Sequence, residues 1–206
     1  MLNTRLQMFS TSIPMIKLVL CGPPHSGKSC LKNGLLTALK RSPISPYPYH
    51  INACPDGEGS WFHETARVDL ALAARERRKG TFSPEWVEIS RAWVADTKEP
   101  LTIVDVGGRI SPENRSIMAG GTHAVILSRD AELCEPWVEF CRDLGLPVIA
   151  QIFSDYDGLE DRVKFNSGML TGTIHHLDRN CDASTRPMVL ALVQQILNLF
   201  NELEKS

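Results

Sequence analysis

The chain has 206 residues, enough for one α/β domain with a hydrophobic core, and 43% of them are hydrophobic. Its formal net charge of −2 gives no general attraction to nucleic acid or to an anionic membrane. No apolar run approaches the roughly 20 residues that cross a bilayer. The six cysteines lack the spacing of a metal site or a disulfide framework. We therefore expect a cytoplasmic protein with reduced thiols and no membrane contact.

The first predicted elements surround a glycine-containing loop. Residues 1–15 are predicted to be an N-terminal lead-in, and the apolar run 16–21 a strand. The strand leads into G-P-P-H-S-G-K-S at 22–29, which matches G-x-x-x-x-G-K-[ST] at every fixed position. The next segment, 29–39, predicts a helix. Strand, loop and helix together indicate a phosphate-binding loop, or P-loop.

Each residue type in the loop has a chemical reason. Backbone N–H groups of the loop and the positive end of the next helix favour phosphate oxygens. Lys28 is predicted to reach the β- and γ-phosphates, and the Ser29 hydroxyl to ligate Mg²⁺. The predicted phosphate contacts are Gly22, Pro23, Pro24, His25, Ser26, Gly27, Lys28, Ser29 and Cys30.

An acidic loop follows the second predicted strand. A proline-rich connector at 42–48 precedes a strand at 49–53, which runs into C-P-D-G-E-G. Asp56 is predicted either to position the attacking group or to hold Mg²⁺ through water, and a simple turn is an equal alternative. The next helical stretch ends in the basic run 75–79. A solvated helix end is the favoured interpretation of this run, over a phosphate-facing lid.

A second acidic motif ends the third predicted strand. Ser83 and Pro84 predict a helix start, and the buried-type strand 101–106 carries Asp105 near its end. Asp105 is predicted to hold Mg²⁺, directly or through water, and the N–H of Gly108 in the D-x-x-G turn to meet the γ-phosphate. Arg109 or Arg115 would neutralise charge during transfer. Val106 stands where many motors have a catalytic Glu, which favours the kinase/GTPase-like branch.

The remaining elements alternate between strand and helix. They are a helix from Ser111-Pro112, a strand at 124–128, a helix at 131–144, strands at 147–153 and 170–177, and a helix at 187–203. This alternation predicts that residues 16–206 form a single α/β P-loop NTPase domain, with three layers and a mainly parallel sheet. The motif loops would gather at the carboxyl ends of the strands. Because no N-K-x-D guanine motif occurs, ATP is favoured over GTP.

Several sequence blocks together resemble a known family. The blocks at 22–29, 54–61, 77–80 and 104–115 are similar to the P-loop module associated with, or fused to, the ring nucleases of type III CRISPR systems. The resemblance covers roughly residues 16–155. It implies a role in antiviral signalling, with a ring nuclease and cyclic oligoadenylate or RNA as partners.

The combined expectation is an Mg²⁺-dependent ATP-binding protein, either a slow ATPase or a phosphotransferase. Lys28, Asp56 and Arg109 are the predicted catalytic residues, and Ser29 and Asp105 the predicted metal ligands. A non-catalytic nucleotide sensor that docks to a nuclease, and a small-molecule or nucleoside kinase, are the alternatives. Binding of cyclic oligoadenylate to the basic run 75–79 and formation of a homo-oligomer are left open.

Overall fold

The computed structural model describes residues 14–54, 83–178 and 181–205. Its strands are β1 (Ile16–Cys21), β2 (Pro48–Ala53), β3 (Leu101–Val106), β4 (His123–Ser128), β5 (Val148–Asp155), β6 (Arg162–Asn166) and β7 (Met169–His175). Its helices are α1 (Lys28–Arg41), α2 (Pro84–Asp96), α3 (Pro112–Met118), α4 (Ala131–Asp143) and α5 (Pro187–Leu203).

Within these ranges the strands form one seven-stranded sheet in the order β2-β3-β1-β4-β5-β7-β6. All neighbouring pairs from β2 to β7 are parallel, which confirms the predicted α/β architecture with a mainly parallel sheet. Only the β6–β7 pair is antiparallel among the described strands. None of the helices in the described ranges has the length and apolarity that crossing a bilayer requires.

The two faces of the sheet bury separate hydrophobic clusters. Alternate residues of β1 point to opposite faces: Leu18 and Leu20 pack with α1 and α5, whereas Val19 and Cys21 pack with α2, α3 and α4. Both faces of the central strands are therefore covered, as a parallel sheet requires. This three-layer arrangement confirms the sequence-based prediction.

The strand β6 was absent from the sequence-based prediction. It is short, charged and largely exposed, so its sequence carries no run of buried residues. It forms a hairpin with β7 through Ser167 and Gly168, which have φ values of 49° and 84°. Two successive positive φ values are the geometry of a tight hairpin turn. Pairing with β7, rather than a hydrophobic pattern, makes this segment a strand.

The predicted helix starts are confirmed, and the cysteines form no disulfide in the structure. The Ser83 and Ser111 hydroxyls accept hydrogen bonds from the N–H groups of Trp86 (3.2 Å) and Asn114 (3.3 Å), as N-caps do. Cys134 and Cys141 are buried, and all six cysteines are free. The Sγ atoms of Cys141 and Cys21 lie 3.7 Å apart, and this hydrogen bond together with burial raises the pKa of the Cys21 thiol.

Two glycines of the β6–β7 hairpin make a matched test of the backbone. Gly172 has φ +144°, and a Cβ there would lie 1.7 Å from the carbonyl oxygen of Arg162. Gly168 has φ +84° but nothing within 4 Å of such a Cβ. We expect Gly172→Ala to lower the free energy of unfolding by at least about 3 kcal/mol, and Gly168→Ala by about 1–2 kcal/mol. Urea denaturation measures both, and equal losses would contradict the predicted collision.

Candidate phosphate-binding site

The P-loop lies between the end of β1 and the start of α1, and its backbone is tightly turned. Gly22, His25 and Gly27 have φ values of 132°, 59° and 88°. A Cβ at Gly22 would lie 2.0 Å from the carbonyl oxygen of Leu127, so only glycine fits there. Left-handed residues on either side of Ser26 are typical of loops whose N–H groups converge on an anion. The loop therefore has the local geometry that the motif predicts.

Lys28 is held over the carbonyl groups of its own loop. Its Nζ donates to the oxygens of Gly22 (2.9 Å) and Pro23 (2.7 Å), and the Ser26 hydroxyl donates to the Pro23 oxygen (2.9 Å). The first turn of α1 contains no acidic side chain, so the partial positive charge of the helix end is not offset there. A cation and a helix N-terminus therefore meet at the same loop.

The D-x-x-G turn after β3 packs directly against the P-loop. A Cβ at Gly108 would lie 2.7 Å from the backbone nitrogen of Pro24 and 2.8 Å from its Cα. Because both atoms belong to the P-loop backbone, any side chain at position 108 would displace that loop. The structure thus brings Gly108 next to the predicted phosphate-binding residues, as the spacing of the two motifs suggested.

Asn114 holds this turn in place, a role that sequence reasoning missed. Its fully buried side-chain nitrogen donates to the carbonyl oxygens of Gly107 (2.9 Å) and Arg109 (2.6 Å). One amide group therefore bridges the residues on both sides of Gly108. Its Oδ1 atom has no hydrogen-bond partner within the described residues. Nothing in the sequence indicated this contact, because Asn114 follows an ordinary helix start.

Asp105 lies beside Leu20 of β1 and Asn52 of β2, close to the end of the strand, but its carboxylate is already paired. Lys32 Nζ is 3.2 Å from Asp105 Oδ2, and the two side chains are only 1% and 4% exposed. Sequence reasoning missed this pair too. A signal existed: Lys32 lies one helical turn after Lys28, next to the buried Leu31 and Leu35.

These positions fit Mg²⁺ unequally. The Ser29 hydroxyl is exposed at the start of α1 and is an oxygen donor of the type Mg²⁺ prefers. The Asp105 carboxylate faces an ammonium group instead of an open position. Within the part of the chain that the structure describes, no three His, Cys, Asp or Glu side chains gather as metal ligands. The exposed Ser29 therefore fits a direct ligand, whereas the paired Asp105 carboxylate does not fit direct coordination in this arrangement. A contact of Asp105 with Mg²⁺ through water stays a prediction.

The remaining residues predicted for the site lie in different surroundings. Arg109 is exposed beside Gly108, His25 is exposed and Cys30 is half-buried. Arg115 turns away towards α4, because its guanidinium lies 3.8 Å from Asp143 and 4.9 Å from the centre of the Phe140 ring. Asp56 and the basic run 75–79 lie outside the described residues.

The far side of the P-loop contacts the ends of β5 and β7. A Cβ at Gly27 would lie 2.9 Å from Leu177 Cδ1 and 3.6 Å from Ser154 Oγ. The end of β7 is fixed by the buried Asp161 carboxylate, which accepts from the backbone N–H (3.0 Å) of His175 and lies 2.6 Å from its Nδ1. These contacts give His175 a structural role at the end of β7, behind Gly27.

The bridge made by Asn114 leads to a specific expectation. Asn114→Ala removes two buried hydrogen bonds and is expected to lower the free energy of unfolding by about 2 kcal/mol. Ser111→Ala is the matched control, because it weakens the same helix start and costs about 1 kcal/mol. Amide hydrogen exchange at residues 107–109 should accelerate in Asn114→Ala alone. Equal acceleration in the two variants would contradict the bridging role.

Comparison with known proteins identifies the fold. No family model matches the sequence, and no curated protein matches it. Solved structures do: a plasmid partition protein of Borrelia burgdorferi B31 bound to AMPPNP has 14% identity and a TM-score of 0.57, over 92% of this chain and 99% of that one. The septum site-determining protein MinD of Pyrococcus horikoshii OT3, complexed with Mg-ADP, has 11% identity and a TM-score of 0.58, over 90% and 98%. The chain therefore has the P-loop NTPase fold, as a single α/β domain.

Proposed function

We propose that the chain is an Mg²⁺-dependent, ATP-binding P-loop protein that slowly hydrolyses ATP or transfers its γ-phosphate. The observation that carries this proposal is the P-loop itself: left-handed turns at His25 and Gly27, followed by Lys28 held on the loop carbonyls. Two structural neighbours bind adenine nucleotides, AMPPNP and Mg-ADP, at the same fold. They support the preference for ATP that the missing guanine motif suggested.

Binding of the nucleotide would use groups that are already in position. Phosphate oxygens would replace the carbonyl oxygens of Gly22 and Pro23 as hydrogen-bond acceptors of the Lys28 ammonium. The exchange is favourable because a charged acceptor forms a stronger hydrogen bond with an ammonium group than a neutral one does. Gly108, which packs on Pro24, would bring its N–H to the terminal phosphate. Ser29 would hold Mg²⁺, which supplies charge neutralisation between the phosphates when it is bound.

The transfer step is proposed from the sequence. Asp56 would orient the attacking water or hydroxyl group, and the exposed Arg109 next to Gly108 would neutralise charge on the transferred phosphoryl group. A small-molecule or nucleoside acceptor would make the protein a kinase. The link to CRISPR-associated signalling rests on the sequence resemblance alone, because neither structural neighbour supports it.

The first test compares nucleotide binding by two variants, each of which removes one lysine of α1. We expect Lys28→Ala to weaken ATP binding about 10- to 100-fold, since a charge-assisted hydrogen bond contributes about 1.5–3 kcal/mol. Lys40→Ala, an exposed position in the same helix, should leave the affinity unchanged. Calorimetric titration with ATP and Mg²⁺ measures both. Absence of ATP binding by the unaltered protein, or equal losses in the two variants, would refute the proposal.

The second test follows the γ-phosphate. With labelled ATP and Mg²⁺, we expect slow release of phosphate, or transfer to an acceptor, and loss of either activity in Asp56→Ala. The reaction is run alone, with RNA, and with cyclic tetra-adenylate together with a ring nuclease. Tight ATP binding with no turnover under any of these conditions would refute the proposed enzymatic activity and favour a non-catalytic nucleotide sensor.

A further inference from the structure

Lys32 and Asp105 form a buried ion pair. This site therefore differs from a metal site in which the carboxylate has no cationic partner until the metal ion binds. Lys32 is 1% exposed and lies in α1, one helical turn after Lys28. Asp105 lies near the end of β3 and is 3% exposed. Burying either charge alone is costly, and the opposite charge beside it offsets part of that cost. The 3.2 Å separation is that of a direct ion pair.

We propose that Lys32 is a positioning residue that serves as the resident counterion of Asp105, and that Asp105 is consequently not a direct ligand of Mg²⁺. Among the described residues, Ser29 would then hold the Mg²⁺ that enters with the phosphates of the nucleotide. This inference deepens the proposed function. It rests on that function because it takes Mg²⁺ as the metal ion that accompanies the nucleotide.

The physical argument is one of charge and space. Direct coordination would bring Mg²⁺ to about 2.1 Å from a carboxylate oxygen. Asp105 Oδ2 has an ammonium nitrogen 3.2 Å away, so the two cations would repel each other at short range in a poorly solvated position. Mg²⁺ also loses its water shell reluctantly and is commonly held by few protein groups together with substrate phosphates. The exposed Ser29 hydroxyl meets that requirement without displacing Lys32.

The pair also serves the anion. Asp105 pairs with Leu20 of β1, and β1 ends one residue later, where it runs into the P-loop. An uncompensated carboxylate at this position would repel phosphate, whereas the ammonium of Lys32 cancels its charge. Lys32 thus keeps the surroundings of the P-loop favourable to an anion and leaves Lys28 to contact it.

The test uses the full chain without nucleotide. Lys32→Met removes the ammonium at similar side-chain length and is expected to lower the Tm by about 10 °C, because the Asp105 charge is left buried and unpaired. Saturating Mg²⁺ should then raise the Tm of this variant by about 5 °C or more, since the unpaired Asp105 carboxylate attracts a cation. The unaltered protein, and the exposed control Lys40→Met, should shift by less than about 1 °C under the same conditions.

A double variant shows which group takes up the ion. Lys32→Met combined with Asp105→Asn removes both charges, so it should regain part of the lost Tm and show no response to Mg²⁺. A merely structural role of Lys32 predicts a lower Tm without any response to Mg²⁺. If Lys32→Met does not fold from the cell, it is refolded from urea with and without Mg²⁺. Recovery with the ion alone supports the proposal, and no recovery overturns it.

Three results would overturn the proposal directly: a shift of the unaltered protein by Mg²⁺ as large as that of Lys32→Met, no shift in a folded Lys32→Met, or an equal shift in the double variant. Each is read without nucleotide, so it is independent of ATP binding. Absence of ATP binding by the unaltered protein would refute the proposed function, but the Tm results could still be interpreted.

Discussion

The position of β1 between β3 and β4 is the constraint on which the rest of the site depends. Its parallel pairing with both neighbours places the P-loop, the D-x-x-G turn and the end of β4 at one edge of the sheet. The loops then approach so closely that glycine is required twice, at Gly22 against the Leu127 carbonyl and at Gly108 against the Pro24 backbone. Close packing of the backbone therefore sets the positions of the loops from which the side chains of the site project.

Two lysines of α1, Lys28 and Lys32, have different electrostatic surroundings at this edge of the sheet. Lys28 lies at the start of α1 over the carbonyls of the P-loop, where we propose that it contacts the phosphates. Lys32, one turn further on, lies inside the protein and pairs with Asp105. In the proposed function the same helix supplies one cation to the ligand and a second cation that neutralises the Asp105 carboxylate. Asn114 completes the frame by holding the turn around Gly108 through two carbonyl oxygens.

Much of the fold could be predicted because its patterns are local. The strand Leu101–Val106 and the helix Pro187–Leu203 have the predicted bounds, and the hydroxyl caps at Ser83 and Ser111 begin the helices that they indicated. The strand β6 could not be predicted, because it is an exposed edge strand whose stability comes from pairing with β7. The antiviral partners implied by the sequence resemblance remain predictions, since similarity to distant structures establishes a fold and carries no partner.

The sequence alone determined the P-loop, because its fixed residues and the strand before it are contiguous in the chain and each has a local reason to be there. It also predicted that Asp105, at the end of an apolar strand, belongs to the site. Only the tertiary structure decided what surrounds that carboxylate. Lys32 is 73 positions away from Asp105 in the sequence. Its place among the apolar residues of α1 is a local signal of burial, but its pairing with Asp105 depends on how α1 packs on the sheet, which no local pattern of residues contains.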